Sequence, residues 1–438
     1  MEQCLRKRGV VNRDRISELP EDLLLHILSK LPTKDVIATS VLSKQWRFLW
    51  TVVPRLEFVS PSKNFAQNVG RCLLSHKAPV LESLHMMVED TCDEQYIGDI
   101  GAWVGIAFAH HVREFVLDVL LYYGQKVQFL SSLFCCDTLE TLKLKNWIHL
   151  DVSFPVSMKS LKTLHLESVT YKDDESICNL LSGCPNLEDL LVHRCRYPNY
   201  VMNFVIVSPS LKRLTIKDRT DGRAGGYVVN APSLKYLTIE TLQGYENCMI
   251  ENAPELVEAN IRNISKIVNE KIMGSLKSVK RLSLDISPLE IKCPTSSIFY
   301  QLLYLEMHTH RVEWWNLLTL MLESSPKLQV LKLIHEYSHY YRMRYWRTGE
   351  KWSEPKYVPQ CLLSHLETFV WTRYDSRKEE EKEVATYILR NAIQLKKASF
   401  SARPIEDLNE MDERLEMLEG LNGVVRASNS CHLVLELE

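Results

Sequence analysis

A six-residue pattern, apolar-x-x-apolar-x-apolar, returns along most of the chain and constrains its fold more than any other feature. It stands as LESLHM at 81, VREFVL at 112, LETLKL at 139, LKTLHL at 161, LEDLLV at 187, LKRLTI at 211, LKYLTI at 234, LVEANI at 256, VKRLSL at 279, LLYLEM at 302 and LQVLKL at 328. From 139 onward the starts are separated by 22, 26, 24, 23, 22, 23, 23 and 26 residues. The fourth and sixth positions of each unit point to one side of a short strand. One unit cannot cover that apolar side alone, so neighbouring units must stack and share a continuous core.

The spacing is that of leucine-rich repeats. It predicts a curved parallel sheet wound into a solenoid. Several units follow CPNL, SPSL, APSL, APEL or SPKL, where the proline stops any preceding helix. DESICNLLSGCPNLEDLLV predicts a helix on the convex side, whereas the short polar returns between 215 and 262 predict irregular convex segments. The third and fifth positions face away from the core, onto the concave side. Lys143, His165, Asp189, Arg213, Tyr236, Glu258, Arg281, Tyr304, Glu306 and Lys332 stand there. Concave repeat surfaces suit recognition of a protein or peptide, and these ten are the candidate target-binding residues. Their interleaved charges, and a net charge of -2, argue against nucleic acid.

Ahead of the repeats, LPEDLLLHILSKLP (19–32) places Leu19, Leu23, Ile27 and Leu31 four apart, with Leu24 and Leu28 on the adjoining ridge. This predicts a helix opening near Pro20 and stopping before Pro32. Thr33 is expected to cap a second helix and Ser43 a third, with Trp46, Leu49 and Trp50 on one side. Three short helices enclose little core, so part of this apolar surface needs another cover. Leu23 and Leu31 are expected to serve as internal core.

The run LPEDLLLHILSKLPTKDVIATSVLSKQWRFLW closely resembles an F-box: Leu-Pro, Ile-Leu, a second Leu-Pro, Asp, Ser-Val-Leu and Lys-x-Trp-Arg, in order. The resemblance implies binding to the Skp-type linker subunit, and through it cullin, of a Skp–cullin–F-box ubiquitin ligase. It implies that Leu19, Pro20, Ile27, Leu28, Pro32, Leu42 and Trp46 lie at or under the linker interface. The alternative is a helical cap on the downstream part of the chain.

Beyond the regular repeats, HLETFVW and LKKASF read as strands, EEEKEVATYILRNAIQL and IEDLNEMDERLEMLEGLN as amphipathic helices, and CHLVLEL as a closing strand. Trp352-x-x-Pro355, Val358-Pro359-x-Cys361-Leu362, Leu366-Glu367, Trp371, the acidic run Glu379–Glu381, Tyr387-Ile388-Leu389 and Asn391-Ala392 resemble the FBD module of plant F-box proteins. The resulting expectation is an α/β chain divided into a basic tail (1–12), a three-helix F-box (13–60), a leucine-rich-repeat solenoid (61–340), a loop (341–357) and an FBD-type cap (358–438).

One enzymatic motif competes. His335-Glu336-x-x-His339 has the zinc-protease spacing, which requires a helix. It directly follows the strand-like LQVLKLI, where ligand geometry would fail, so a zinc hydrolase is the remote alternative. In repeat register His308 and His310 neighbour His335, and a histidine patch on the surface is expected. No other catalytic constellation, metal or cofactor is expected. YYRMRYWRTGEKWSEPKY (340–357), aromatic and basic, reads as a loop packed over the solenoid end. The 12 cysteines are scattered without C-x-x-C. No signal peptide and no long apolar run stands out, so a reducing nuclear or cytoplasmic setting is expected. Arg6-Lys7-Arg8 reads as part of a solvated basic tail, with a weak nuclear signal as the lesser alternative. The functional expectation is a non-catalytic adaptor that delivers a target for ubiquitination. A scaffold that binds the linker without delivering anything is the competing reading.

Overall fold

The structure is a computed structural model. It describes the chain except for residues 1–15, 17, 61–64, 90–94, 121–125, 131–133, 196–202, 220–225, 242–247, 265–269, 287–297, 312, 336–350, 403–419 and 437–438. The basic triplet, the glutamate and second histidine of the zinc-protease motif, and all but the last turn (420–422, helical) of the helix expected at 405–422 therefore lie outside the described residues.

The repeats form what their alternation demands. Fifteen strands of the described residues make one sheet, every pair parallel and each strand beside the next along the chain. It runs from Arg55–Val59, through repeat strands such as Thr141–Asn146, Asp189–Arg194 and Tyr304–His308, to Val330–Ile334. It continues without a break into Thr368–Tyr374, Lys397–Ala402 and His432–Glu436. The fourth and sixth positions of the units, Leu142 and Leu144 or Leu164 and Leu166, are fully buried. They join one apolar core from Leu56 to Cys431.

The other side of that core is closed by helices and two small sheets. The helix expected in the fourth repeat spans Asp174–Ser182, and Asp173 caps it by accepting the Ser176 N–H. The expectation of irregular returns between 215 and 262 is corrected. Tyr227–Asn230 and Cys248–Asn252 are strands, and with Phe204–Val207 they form a parallel three-stranded sheet. Their apolar residues Tyr227, Val229 and Cys248 seal the core where no helix does.

The three C-terminal strands and the helix between the first two fall where the sequence places them. The helix Glu379–Asn391 starts with three glutamates, as the helix dipole prefers. Trp371 is fully buried in an aromatic cluster with Trp314, Phe369, Tyr374 and Phe400. Of the 340–357 segment, Trp352 packs edge-on against Tyr387 and so joins the C-terminal core.

Candidate functional site

Two surfaces carry the candidate residues. The first is the N-terminal helical unit, with helices Glu21–Leu28, Thr33–Ala38 and Trp46–Leu49. Its own core is six buried residues: Leu24, Leu28, Val36, Trp46, Leu49 and Val53. The two ridges of the first helix are thereby separated. Leu24 and Leu28 face inward and are fully buried. Leu23, Ile27 and Leu31 face out at 51%, 46% and 43% exposure. This corrects the expectation that Leu23 and Leu31 are internal. Val41, Leu42 and Phe48 are exposed as well. Of the seven sequence-derived linker residues, Pro20, Ile27, Pro32 and Leu42 are exposed, Leu19 is half-buried, and Leu28 and Trp46 lie beneath.

Both expected caps are corrected. Pro20, Pro32 and Gln45 occupy the cap positions of the three helices, and none makes a side-chain cap bond. Thr33 does something else: its Oγ1 accepts the Glu57 N–H at 2.6 Å, tying the second helix to the first strand of the sheet. His76 Nε2 lies 2.9 Å from the Val53 carbonyl oxygen, and Trp50 packs against both cores. The helical unit is thus seated on the N-terminal end of the solenoid.

The second surface is the open face of the sheet, opposite the core. The third- and fifth-position residues all stand there, and most charges are paired with the neighbouring strand. Lys143 contacts Glu114 at 3.2 Å, His165 Nε2 approaches Asp189 at 3.9 Å, Arg213 bonds Asp189 at 3.2 Å, and Arg281 stands 3.5 Å from Glu258. Burial holds the His165 imidazole below its usual pKa despite Asp189. Glu306 requires a correction: it is buried rather than presented. It accepts from Ser283, Tyr304 and Lys332 at 3.0, 3.1 and 3.1 Å, with Arg262 at 3.6 Å. Burial raises its pKa, but Lys332 and the two hydroxyls outweigh that and hold the carboxyl below the usual range.

The histidine patch is also different from the expectation. His335 follows the strand Val330–Ile334, and its ring meets Thr309 Oγ1 at 3.1 Å, Lys378 Nζ at 3.3 Å and Glu381 at 3.5 Å. The closer grouping is Asp285, His308 and His310, whose donor atoms lie within 4.8 Å of one another. It is largely buried, not a surface patch. Arg311 already holds both Asp285 oxygens, at 2.6 and 3.1 Å, so the charge a cation would need is neutralised. One pairing escaped the sequence. Cys195 Sγ lies 2.9 Å from Ser168 Oγ and 3.8 Å from His193 Nε2, and His193 holds the thiol below its ordinary value. Register between neighbouring strands brings Ser168 to Cys195, while His193 stands only two residues away on the same segment.

Three family models match separate parts of the chain: the F-box domain over residues 16–58, the LRR repeats of FBD-associated F-box protein At5g56370 over 100–259, and FBD over 354–400. F-box/FBD/LRR-repeat protein At3g51530 of Arabidopsis thaliana is 60% identical, across 99% of this chain and 95% of its own length. The chain belongs to the F-box/FBD/LRR-repeat family. Two further Arabidopsis thaliana members, F-box/FBD/LRR-repeat proteins At3g52680 and At4g00160, are 56% and 55% identical over 100% of this chain and 96% and 97% of theirs. Among solved structures, a chain of the yeast Rad7–Elc1 complex matches at 13% identity and a TM-score of 0.29, covering 72% of this chain and 88% of that one, too distant to bear on the fold. In this family member the F-box is the helical unit, the LRR match takes in strands of the long sheet with the helix Asp174–Ser182 and the small sheets behind them, and the FBD match covers the strand Thr368–Tyr374 and the helix Glu379–Asn391. Among the described residues no helix is long and apolar enough to cross a membrane.

Proposed function

We propose that this protein is the substrate-recognition adaptor of a Skp–cullin–F-box ubiquitin ligase. The observation that carries the reading is the division of the F-box: a six-residue core inside, and Leu23, Ile27, Leu31, Val41, Leu42 and Phe48 outside. Exposed apolar residues in this number on so small a unit fit a partner interface better than a solvated surface. The partner is the Skp-type linker, and cullin follows through it. Pro20, Ile27, Pro32 and Leu42 contact the linker directly, while Leu28 and Trp46 hold the helices that present them.

The solenoid, taken as residues 61–340 between an F-box of 13–60 and an FBD cap of 358–438, binds the target on its open face. The protein contributes no catalytic residue. It raises the concentration of target near the ubiquitin-charged enzyme, so acceleration comes from proximity. The setting is the nucleus or cytoplasm, where the ligase and free thiols coexist; all nine cysteines among the described residues are unpaired with one another.

Affinity purification of the full chain from plant cells tests this. Linker and cullin co-purify with wild type and are lost with Ile27→Asp plus Leu42→Asp. Proximity labelling with that double variant retains targets whose lifetime lengthens when the wild-type gene is removed. Assembly with linker but no protein of altered lifetime would replace the adaptor reading with the scaffold.

A further inference from the structure

The open face carries one arrangement twice. Asp189, Arg213 and Tyr236 occupy the same register position on three successive strands, and Glu258, Arg281 and Tyr304 occupy it on the next three. In each set the acid pairs with the arginine and the arginine lies over the tyrosine. Arg213 Nη1 is 3.2 Å from Asp189 Oδ2, and its guanidinium carbon is 5.2 Å from the Tyr236 ring centre. Arg281 Nε is 3.5 Å from Glu258 Oε2, and its guanidinium carbon is 4.0 Å from the Tyr304 ring centre.

This geometry orders both guanidiniums before any partner arrives, so less side-chain freedom is lost on binding. Each has five N–H donors. Arg213 uses one on Asp189, and the Arg281 contact is too long for a good hydrogen bond. With side chains 57% and 51% exposed, both can offer the planar fork that takes a carboxylate two bonds at a time.

The separation selects the ligand's spacing. Neighbouring strands lie about 4.8 Å apart, so three strand steps span about 14 Å. An extended chain advances about 3.4 Å per residue and returns to the same face every second residue, so positions i and i+4 are also about 14 Å apart. We propose that the open face takes an extended acidic segment of the target, crossing the strands, with carboxylates at i and i+4 on Arg213 and Arg281. The proposal rests on the reading of the solenoid as the target-binding part. Asp189 and Glu258 beside each arginine favour a singly charged carboxylate over a doubly charged phosphate.

Fluorescence anisotropy with the full-length chain tests it. The probes are labelled serine-rich peptides with two glutamates set two to six positions apart, plus a phosphoserine version of the i,i+4 peptide. The i,i+4 diglutamate binds tightest. Either Glu→Gln in the peptide, or Arg213→Gln or Arg281→Gln in the protein, weakens it about tenfold. Arg281→Lys does not restore it, and double-mutant cycles couple each glutamate to one arginine. Circular dichroism of these exposed-site variants stays at wild type. Equal binding at all spacings, tighter binding of the phosphoserine peptide, or indifference to Arg281→Gln overturns the proposal. Linker capture is measured in parallel: its loss with peptide binding intact sinks the adaptor reading alone.

Discussion

The F-box and the solenoid solve opposite problems with the same apolar residues. The F-box has more leucine than its small core can hold, and leaves Leu23, Ile27, Leu31 and Leu42 outside. The solenoid buries the fourth and sixth positions of its repeats and shows the solvent polar residues that are already paired with one another. An apolar exposed surface gains by finding any close-fitting cover. A self-paired polar surface gains only when a partner offers better hydrogen bonds than the intramolecular ones it replaces. The first suits one constant partner and the second a selective one.

Core truncation separates the two regions most strongly. Leu24→Ala and Leu214→Ala each remove about 2–5 kcal/mol of stability, both sites being fully buried or nearly so. Because the F-box core is a cluster of its own, Leu24→Ala raises amide exchange in residues 20–53 and little beyond. Leu214→Ala spreads to neighbouring repeats, since each repeat is held by the next. Equal exchange across the whole chain in both variants would erase the distinction.

Backbone packing gives a smaller effect within the solenoid. A Cβ at Gly183 would overlap the Val156 carbonyl, so Gly183→Ala lowers stability by about 1–3 kcal/mol. At Gly101, inside the helix Gln95–Ala109, a Cβ meets nothing within 4 Å, so Gly101→Ala gains up to about 1 kcal/mol. Thermal melts of the two variants should move in opposite directions.

Acid distinguishes the regions next. Burial pushes the Asp285 carboxyl up, but the Arg311 bond and charge, with His310 and His308, outweigh it and hold the carboxyl low. A carboxyl below its unfolded value stabilises the fold above the unfolded pKa, and that contribution is lost as pH falls through the folded one. Urea midpoints of wild type therefore drop below about pH 4, the ordinary carboxylate value. Asp285→Asn lowers the midpoint at pH 7 and differs less from wild type at pH 3. The smallest effect belongs to the exposed pair Lys162–Glu140, 2.9 Å apart. Lys162→Ala changes stability by no more than about 0.5 kcal/mol.

The sheet was legible because one period repeats in eight successive spacings, and each unit's inward pair follows from strand alternation. The second-layer strands were not. FVIV, YVVN and CMIEN start at 204, 227 and 248 and so follow the repeat spacing, but at four or five residues each they are too short to stand out from the returns around them. The F-box was legible as a motif, but the inward ridge of its first helix was not. Leu23, Ile27 and Leu31 have the same spacing as Leu24 and Leu28, and only the packed position of Trp46 and Val36 chooses between them. On the open face, Glu306 escaped because its burial depends on Arg262 and Lys332, which reach it from other strands.

The outer ridge of Glu21–Leu28, on the adaptor reading, is covered by another protein. Calorimetric titration of the Skp-type linker into the full chain, with melting temperatures measured alongside, tests it most directly. Ile27→Asp should weaken binding at least about thirtyfold, as loss of an interface anchor does, and leave the melting temperature within a degree or two of wild type. Unchanged linker affinity, or a melting temperature that falls as far as that of Leu24→Ala, would show that the ridge serves the chain's own fold instead.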